Sequence, residues 1–252
     1  MSTQSEITAI SKILVNSVSP CIVELGGYHG EDSMWMMQVV AEKNPVCIMV
    51  EPDPQNIATI KGLGYGGRLI EGAISDHTGH CDFWACYTEE GRGSGSIRRP
   101  TGHITEKPWY DFKKMQTEIP CYALDDIFIG HELDHIDVLW VDIQGAERDM
   151  IAGGQKALKH TRFLFIEAEE RELYEGQALR PQLLKSLPEW VVIAEFEHNL
   201  LLRNDAFQPD ELVRTPKTLV AKQTGGCPNC HSVAIGIAGG MRRCNQCGQS
   251  FV

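Results

Sequence analysis

Apolar residues along most of the chain recur either at helical spacing or in short continuous runs, and the two patterns alternate. Residues 5–18 place aliphatic side chains on one side of a predicted amphipathic helix that ends before Pro20. The apolar run at residues 21–25 predicts a buried strand, which a glycine turn connects to a second helix over residues 32–42. Strand, turn and helix in this order are typical of the start of an α/β domain.

The same alternation continues into the middle of the chain. Residues 46–50 predict a second buried strand, and Asp53 followed by Pro54 predicts the capped start of another helix. Two further apolar runs, at residues 69–74 and 81–87, each predict one more strand.

Residues 88–118, called here the lid segment, interrupt the pattern because they contain few apolar side chains. A loop of that length inside a compact domain is usually functional or disordered. Two interpretations follow, a lid over a substrate and a mobile insertion. The residues of this segment that could contact a substrate, or simply face solvent, are Ser94, Ser96, Arg98, Arg99, His103, Trp109 and Tyr110.

Beyond the lid segment, alternating strands and helices followed by a hairpin predict the rest of an open sheet. The predicted elements are strands at 119–124, 136–141 and 163–166, a helix at 146–158, and an antiparallel pair at 190–194 and 199–202. The expected fold is α/β: a doubly wound, Rossmann-like, mostly parallel seven-stranded sheet with an antiparallel C-terminal hairpin. This domain is predicted to cover residues 1–204, followed by a linker at 205–224.

The C-terminal residues 225–252 carry two Cys-x-x-Cys pairs at a spacing typical of a small zinc ribbon. Four thiolates would close the coordination sphere of the metal, so the predicted zinc is structural rather than catalytic. The alternatives are two disulfides or four inert thiols. The predicted ligands are Cys227, Cys230, Cys244 and Cys247.

Charge is divided unevenly along the 252 residues, whose formal net charge is −11. Residues 222–252 contain Lys222, Arg242 and Arg243 but no acid, which leaves −14 on residues 1–221. An acidic main body argues against broad binding to a phosphate backbone. Arg242 and Arg243 could still contact an anion locally, or they could be solvated surface residues.

Cysteine usage and hydropathy indicate the compartment. The other five cysteines are scattered through apolar stretches, and no secretory signal is recognisable before them, so we expect a reducing, cytoplasmic protein. No apolar run approaches the roughly 18 residues needed to cross a bilayer, so no membrane partner is expected. The oligomeric state does not follow from the sequence.

The turn after the first predicted strand contains glycines that would let the backbone approach a nucleotide-like ligand. Its Gly26-x-x-x-Gly30 spacing differs from the G-x-G-x-x-G spacing of dinucleotide sites, and a purely structural tight turn is the alternative. Glu51 follows Gly30 by 21 residues, near the position from which an acid binds ribose hydroxyls, although a helix cap or surface carboxylate would also fit there.

Several short motifs, in order over residues 20–204, resemble the FkbM family of S-adenosylmethionine-dependent O-methyltransferases, which have the class I methyltransferase fold. They are Val23-Glu-Leu-Gly-Gly-Tyr-His-Gly30, Val50-Glu-Pro52, Glu71-Gly-Ala-Ile-Ser-Asp76, Gly93-Ser-Gly-Ser-Ile97, Leu124-Asp-Asp126 and Val141-Asp-Ile-Gln-Gly-Ala-Glu147. This chain has Glu24-Leu-Gly-Gly-Tyr where the family commonly has an aspartate and an alanine-asparagine pair, and the zinc ribbon lies outside the usual domain of the family.

The resemblance implies a binding site for S-adenosylmethionine at the ends of the first strands. Residues 26–30 would cradle its amino acid part, Glu51 would hold the ribose, and Ala73 and Ile74 would flank the adenine. The complete set implied for donor binding is Glu24, Gly26, Gly27, Tyr28, Gly30, Glu51, Pro52, Ala73, Ile74 and Asp142.

Methyl transfer to a hydroxyl needs a group that orients the acceptor oxygen and removes its proton. Asp142 and Glu167 each follow a predicted central strand, and the resemblance makes Asp142 the first candidate for this catalytic role and Glu167 the second. Alternatively, Asp142 caps the next helix, His29 is the base, or both carboxylates join Glu169 in a magnesium site, which is not favoured because carboxylate spacing alone does not define one.

Three functions are compatible with these features. The first is an O-methyltransferase acting on a hydroxyl of a sugar, glycan or other small molecule, with the ribbon docking a carrier or partner. The second is a methyltransferase of RNA or protein that recognises its substrate through the ribbon and Arg242 and Arg243. The third is a non-catalytic binding module, against which the intact Gly26, Glu51 and Asp142 argue.

Overall fold

The computed structural model describes residues 2–207 and the strand segments 237–238, 241–243 and 250–251. The chain divides into two units, Met1–Gln208 and Pro209–Val252. No helix among the described residues is long and apolar enough to cross a membrane.

The first unit alternates strands and helices, as predicted. Its strands are β1 (Cys21–Leu25), β2 (Val46–Glu51), β3 (Arg68–Glu71), β4 (Ala73–Ser75), β5 (Gly79–Cys81), β6 (Trp84–Cys86), β7 (Phe112–Lys114), β8 (Ile119–Ala123), β9 (Ile136–Val141), β10 (Thr161–Glu167), β11 (Trp190–Glu195) and β12 (Asn199–Asn204). Its α-helices are α1 (Gln4–Leu14), α2 (Glu31–Val39), α3 (Pro54–Gly62), α4 (His103–Glu106), α5 (Leu124–Gly130), α6 (Glu147–Gly153), α7 (Gln155–Lys159) and α8 (Arg180–Ser186), and short 3-10 helices cover Ala41–Lys43 and Glu89–Ser94.

The central sheet has seven strands in the order β11-β12-β10-β9-β1-β2-β3. Neighbours from β10 to β3 are parallel, whereas β12 is antiparallel to both β10 and β11. This confirms the predicted mostly parallel sheet with a C-terminal hairpin. The strand order reverses direction between β1 and β9, and ligands of doubly wound sheets bind at such a switch point.

Both faces of the sheet are covered by helices. Along β1, Ile22 contributes to one apolar cluster, whereas Val23 and Leu25 contribute to the other, as expected for alternating side chains. Helices α1 and α2 cover the first face, and α5 to α8 cover the second. Burial on both faces explains why the central strands read as continuous apolar runs.

Two helix starts follow their sequence signals. The Thr3 side chain accepts from the backbone N–H of Glu6 at the start of α1, and Asp53 accepts from Gln55 and Asn56 at the start of α3. The expectation that α1 reaches residue 18 was wrong, since the helix ends at Leu14.

The expected strands at 69–74 and 81–87 were each wrong as single elements. Gly72 separates β3, which pairs with β2, from β4, which pairs with β8 in a second small sheet. A side chain at Gly72 would lie 2.7 Å from the carbonyl oxygen of Pro120, so the two sheets meet where only glycine fits. Similarly, β5 pairs with β8 while β6 pairs with β7.

The predicted helix at 146–158 is also two helices, because it breaks at Gly153 and Gly154. A Cβ at Gly153 would lie 2.7 Å from the carbonyl oxygen of Ser75, so the break allows α6 to pack directly on the end of β4. Such close approach between segments distant in sequence leaves no local signal beyond the glycines themselves.

The lid segment has more regular structure than its sequence predicted, since it contains the 3-10 helix Glu89–Ser94, α4 and β7. Ser96 exchanges two backbone hydrogen bonds with Trp84, and the backbone N–H groups of Gly102 and His103 donate to the carbonyl oxygen of Leu173. The segment is thus fastened to the rest of the domain at two points.

In the second unit, the described residues form an antiparallel three-stranded sheet with β14 in the centre. Its strands are β13 (Ile237–Ala238), β14 (Met241–Arg243) and β15 (Ser250–Phe251). The predicted zinc ligands Cys227, Cys230, Cys244 and Cys247 lie outside the described residues.

Candidate functional site

A cavity of about 400 Å³ opens at the carboxyl ends of β1, β2 and β9, beside the switch point of the sheet. Strand β4 and the lid segment complete its wall. Most residues predicted to bind the methyl donor line it, namely Glu24, Gly26, Gly27, Tyr28, Glu51, Pro52, Ala73, Ile74 and Asp142. The predicted Gly30 and Glu167 are not part of the lining.

The turn after β1 brings backbone rather than side chains to the cavity. Gly26 has a left-handed φ of +86°, and a Cβ there would lie 1.7 Å from the carbonyl oxygen of Asp142. A Cβ at Gly27 would lie 2.4 Å from the Sδ atom of Met49. Both glycine N–H groups donate to the carbonyl oxygen of Val50, at 2.9 and 3.2 Å, so the turn is tied to the end of β2.

Gly30 has a structural position behind this turn. It adopts a φ of +83° at the N-terminal cap of α2, and its N–H donates to Gly27 at 2.6 Å. The left-handed backbone lets the chain enter the helix directly from the turn.

Glu51 is buried at the end of β2 and is held by three donors. Its carboxylate accepts from the backbone N–H groups of Tyr28 and Asp53 at 2.8 and 2.9 Å and from the side-chain amide of Asn56 at 3.1 Å. Burial nevertheless raises the pKa of Glu51 to about 7. The side chain therefore connects the β1 turn to the start of α3 and is fixed in orientation.

Glu24 is a second buried acid on the cavity wall. Its Oε2 atom has no hydrogen-bond partner within residues 2–207, and burial raises the pKa of the side chain well above its ordinary value. A buried carboxylate oxygen without a donor is costly unless a ligand supplies one.

Asp142 and Glu167 lie side by side at the carboxyl ends of β9 and β10. The preceding residues, Val141 and Ile166, are register partners in the parallel ladder, which places the two carboxylates next to each other. The Gln144 amide joins them, since its Nε2 atom donates to Asp142 at 2.6 Å and to Glu167 at 3.2 Å.

The surroundings of both acids raise their pKa values. Asp142 faces the open cavity, but protein surrounds it on the remaining sides, and this enclosure raises its pKa. Burial, followed by the charge of Asp142, raises the pKa of Glu167 well above its ordinary value. Nearby Glu147 is fully buried on α6, accepts from the Gly145 N–H at 3.1 Å, and has its pKa raised to about 7 by burial.

The residues of the lid segment that could contact a substrate separate into those that line the cavity and those that do not. Ser94 and Ser96 line the cavity, and the Ser96 hydroxyl donates to the carbonyl oxygen of Gln144 at 2.7 Å. Arg98 instead forms a bidentate ion pair with Asp149, at 2.9 and 2.7 Å. His103 is buried against the rings of Tyr110, Phe112 and Tyr174, whereas Trp109 is 63% exposed.

The cavity lining is strongly acidic. Among the residues that the structure describes, Arg92 is the one cation in the lining, against the acids Glu24, Glu31, Asp32, Glu51, Asp53, Glu90 and Asp142. Such a lining attracts a cationic ligand and repels an anionic one.

No metal cluster accompanies these acids among the residues that the structure describes, where no three His, Cys, Asp or Glu side chains are grouped to hold an ion. An oxygen of Glu169, the third member of the considered magnesium site, lies 3.1 Å from the Nδ1 atom of His198. His29 stacks on Tyr28, with ring centroids 3.8 Å apart, and is not part of the cavity lining.

Two polar residues at this site received no role from the sequence. Gln144 stands within the motif of residues 141–147, but a glutamine gives no chemical signal by itself. Tyr174 comes from the segment after β10 and reaches the site only through the tertiary fold.

Comparisons with known proteins agree with this geometry. The family model described as the Methyltransferase FkbM domain matches residues 24–202. The 2-O-methyltransferase NoeI of Sinorhizobium fredii (strain NBRC 101917 / NGR234) is 36% identical over 205 residues, which cover 76% of this chain and 82% of that protein.

Two solved structures are more distant. Methyltransferase FkbM from Methylobacillus flagellatus is 16% identical with a TM-score of 0.44, and the match covers 73% of this chain but only 43% of that one. The SAH-bound Podospora anserina methyltransferase PaMTH1 is 12% identical with a TM-score of 0.43, over 81% of this chain and 79% of that one. On the family match and the identity to NoeI, the chain belongs to the FkbM methyltransferase family.

Proposed function

We propose that this protein is an S-adenosylmethionine-dependent O-methyltransferase that acts on a hydroxyl of a sugar, glycan or other small molecule. The observation that carries the proposal is the adjacent pair Asp142 and Glu167 at the strand ends, beside a cavity closed on one side by the Gly26 turn. The similarity to a 2-O-methyltransferase supports a hydroxyl as the acceptor group.

The cavity suits S-adenosylmethionine in shape and charge. Its volume of about 400 Å³ falls in the range of small-molecule sites. In our proposal the Gly26–Gly27 turn admits the amino acid part of the donor, the free oxygen of Glu24 accepts from its ammonium group, and Glu51 accepts from its ribose hydroxyls. Ala73 and Ile74 contribute an apolar wall for the adenine.

Once bound, S-adenosylmethionine supplies an electrophilic methyl group on a positively charged sulfur. The acidic lining favours this sulfonium over the product that remains after transfer, whose sulfur is a neutral thioether. Product release is therefore assisted by the same side chains that hold the donor.

Asp142 has the position required of the base. Its carboxylate faces the cavity, so in our proposal it accepts a hydrogen bond from the acceptor hydroxyl and takes the proton as the new C–O bond forms. Glu167 lies beside it but outside the cavity lining, and in our proposal it acts on the acceptor through Asp142. An acidic wall disfavours phosphorylated or carboxylated groups close to the reacting hydroxyl, which favours a neutral acceptor.

Donor binding and chemistry can be tested separately. Isothermal titration calorimetry with S-adenosylmethionine should show saturable binding to the wild-type protein and to Asp142→Asn. Transfer of a tritiated methyl group to a panel of neutral methyl glycosides and glycan fractions should fall about 100-fold in Asp142→Asn, in line with the usual contribution of a general base.

A matched control is Asp82→Asn, which removes a surface carboxylate that is paired with Lys114 and is not part of the cavity lining. This variant should transfer methyl groups at the wild-type rate. Absence of donor binding in the wild type would reject a methyltransferase, and near-normal turnover of Asp142→Asn would reject the assigned base.

The second unit has a separate role in this proposal. Cys227, Cys230, Cys244 and Cys247 would hold a structural zinc, and the ribbon would dock a carrier or partner of the acceptor. Arg242 lies on the central strand β14 and favours an anionic group on that partner. Methyl transfer to RNA or protein, rather than to the glycosides, would instead favour the ribbon as the substrate-recognition element.

The five cysteines of the first unit are unpaired, which supports our proposal of a reducing, cytoplasmic setting.

A further inference from the structure

A continuous hydrogen-bonded chain connects the lid segment to the two carboxylates at the strand ends. The Tyr174 hydroxyl lies 2.8 Å from the carbonyl oxygen of Ser94 and 2.7 Å from the Oε1 atom of Gln144. The amide nitrogen of Gln144 donates hydrogen bonds to Asp142 and Glu167. Four side chains and one lid carbonyl are thus coupled in a single network.

Tyr174 supports one orientation of the Gln144 amide. The phenol has one proton, which it can donate to Oε1 of Gln144 or to the carbonyl oxygen of Ser94, and donation to Oε1 goes with an NH₂ group that faces the carboxylates. The reverse orientation would place an amide oxygen against two acids. Tyr174 is 1% exposed and packs against Gly145, which leaves the ring little freedom to move.

The backbone of Gln144 is also restrained. Its φ of +52° is unusual for a residue with a side chain, and the Ser96 hydroxyl holds its carbonyl oxygen at 2.7 Å. A residue held in a left-handed conformation by contacts on both sides presents its amide in one place only.

The Gln144 NH₂ group can donate one hydrogen to each of the two adjacent carboxylates. Two neighbouring negative charges repel each other, which favours one proton shared by the pair. Enclosure raises the pKa of Asp142, and donation by Gln144 at 2.6 Å opposes this rise, whereas burial and the neighbouring acids raise the pKa of Glu167 well above its ordinary value and the Gln144 contact there is longer, at 3.2 Å. The other titratable groups whose charges reach the pair are Asp32 on α2, Glu147 on α6, and Glu169 and Tyr174 after β10.

We propose that Gln144, oriented by Tyr174, is the positioning residue that keeps Asp142 ionised and directed at the acceptor hydroxyl while Glu167 retains the shared proton. This inference rests on the proposed function, and it adds the means by which the base is kept ready. The acceptor O–H bond breaks and its proton passes to Asp142, while the methyl group leaves the sulfonium sulfur and bonds to the acceptor oxygen. Ser94 links this arrangement to the lid segment.

Titration of the carboxyl groups tests the proposal without any acceptor. In protein labelled with ¹³C at the aspartate side-chain carboxyl, Asp142→Asn identifies the Asp142 resonance. Loss of the Gln144 hydrogen bond removes stabilisation of the ionised form, so this resonance should titrate at higher pH in both Tyr174→Phe and Gln144→Met. An unchanged titration in either variant would overturn the proposal.

Kinetics give an independent readout once an acceptor has been found in the glycoside panel. Turnover should fall about 10-fold in each variant, the acidic limb of its pH profile should move to higher pH, and donor affinity by calorimetry should stay unchanged. The double variant should be no worse than Gln144→Met alone, because Tyr174 acts through Gln144. Additive losses would show that Tyr174 supports the fold instead.

Tyr110→Phe is the matched control. It also removes a phenol from this region, but the Tyr110 hydroxyl donates to Glu90 at 3.1 Å and does not touch Gln144. Its Asp142 titration should equal that of the wild type. Failure of the proposed function would appear as absent methyl transfer in the wild type, whereas failure of this inference would appear as an unmoved Asp142 resonance.

Discussion

Gly26 and Gly64 have similar left-handed backbones, with φ of +86° and +71°, but very different surroundings. A Cβ at Gly26 would overlap the carbonyl oxygen of Asp142 at 1.7 Å, whereas nothing lies within 4 Å of one at Gly64. The difference separates the cost of the backbone conformation from the cost of close approach. Backbone strain alone is worth about 1–2 kcal/mol.

Gly26→Ala should therefore lower the free energy of unfolding by about 3 kcal/mol or more, because the β1 turn and the end of β9 must move apart. It should also lose binding of S-adenosylmethionine. Gly64→Ala should cost about 1 kcal/mol and bind the donor normally. Denaturant unfolding and calorimetry measure both quantities, and equal effects in the two variants would contradict the close contact.

The role of a residue could be predicted from the sequence where its type and its neighbours leave few other roles open. Gly26 and Glu51 line the cavity, and a glycine turn and an acid at strand ends are signals that the sequence itself carries; their predicted donor binding stays a prediction. Gln144 and Tyr174 carry no such signal, because glutamine and tyrosine occur in many environments and their meeting depends on a contact 30 positions apart.

At the scale of elements, a buried carboxylate connects the strands at the edge of the sheet opposite the cavity. Asp137 on β9 is 1% exposed and accepts from the Ser17 hydroxyl, the Cys21 N–H and Arg162, at 2.8, 3.1 and 3.0 Å. The fourth partner is His135, at 3.1 Å. Asp137 thus joins β1, β9 and β10 through one side chain.

Asp137→Asn should lower the free energy of unfolding by about 2 kcal/mol, because buried donors lose a charged acceptor. The matched control is Asp205→Asn, which breaks a half-exposed pair with Arg203 and should cost less than about 1 kcal/mol. Urea unfolding of both variants at neutral pH checks the difference, and similar losses would contradict the importance of burial.

The same cluster predicts a pH dependence of stability. Burial would raise the pKa of Asp137, but the hydrogen bonds from His135, Ser17 and Cys21 outweigh it and lower this pKa. The stabilisation that ionised Asp137 gives the folded state is therefore present above the ordinary aspartate value of 3.8 and is lost as pH falls through the lower folded-state pKa. Asp137 raises the pKa of His135, so the stabilisation that protonated His135 gives the folded state is present below pH 6.5 and is lost as pH rises through the higher folded-state pKa. The stability difference between wild type and Asp137→Asn should therefore be largest between 3.8 and 6.5, and a flat difference would contradict the pairing.

At the scale of the whole molecule, the chain combines an α/β unit with a second unit of different composition. The first unit contains the cavity, the carboxylate pair and the lid segment, whereas the second contains both Cys-x-x-Cys pairs. Metal and donor are therefore expected to bind independently.

Purified full-length protein should contain about one zinc per chain, measured by plasma mass spectrometry, since four thiolates complete one tetrahedral site. Cys227→Ser should lose the zinc but keep S-adenosylmethionine binding by calorimetry. Cys86→Ser, which changes a buried free thiol of the first unit, should keep both. If wild-type protein purified under reducing conditions contained no zinc, the predicted zinc ribbon would be contradicted.

Local sequence patterns were enough to predict the order of strands and helices, the parallel sheet with its closing hairpin, and the acids and glycines at the strand ends. They were enough because apolar periodicity and turn residues report local burial and local backbone conformation. Tertiary structure decided where elements break, as at Gly72 and Gly153, and how the lid segment is fastened. It also decided that Gln144 and Tyr174 meet beside Asp142, because such contacts depend on packing between segments that local patterns do not encode.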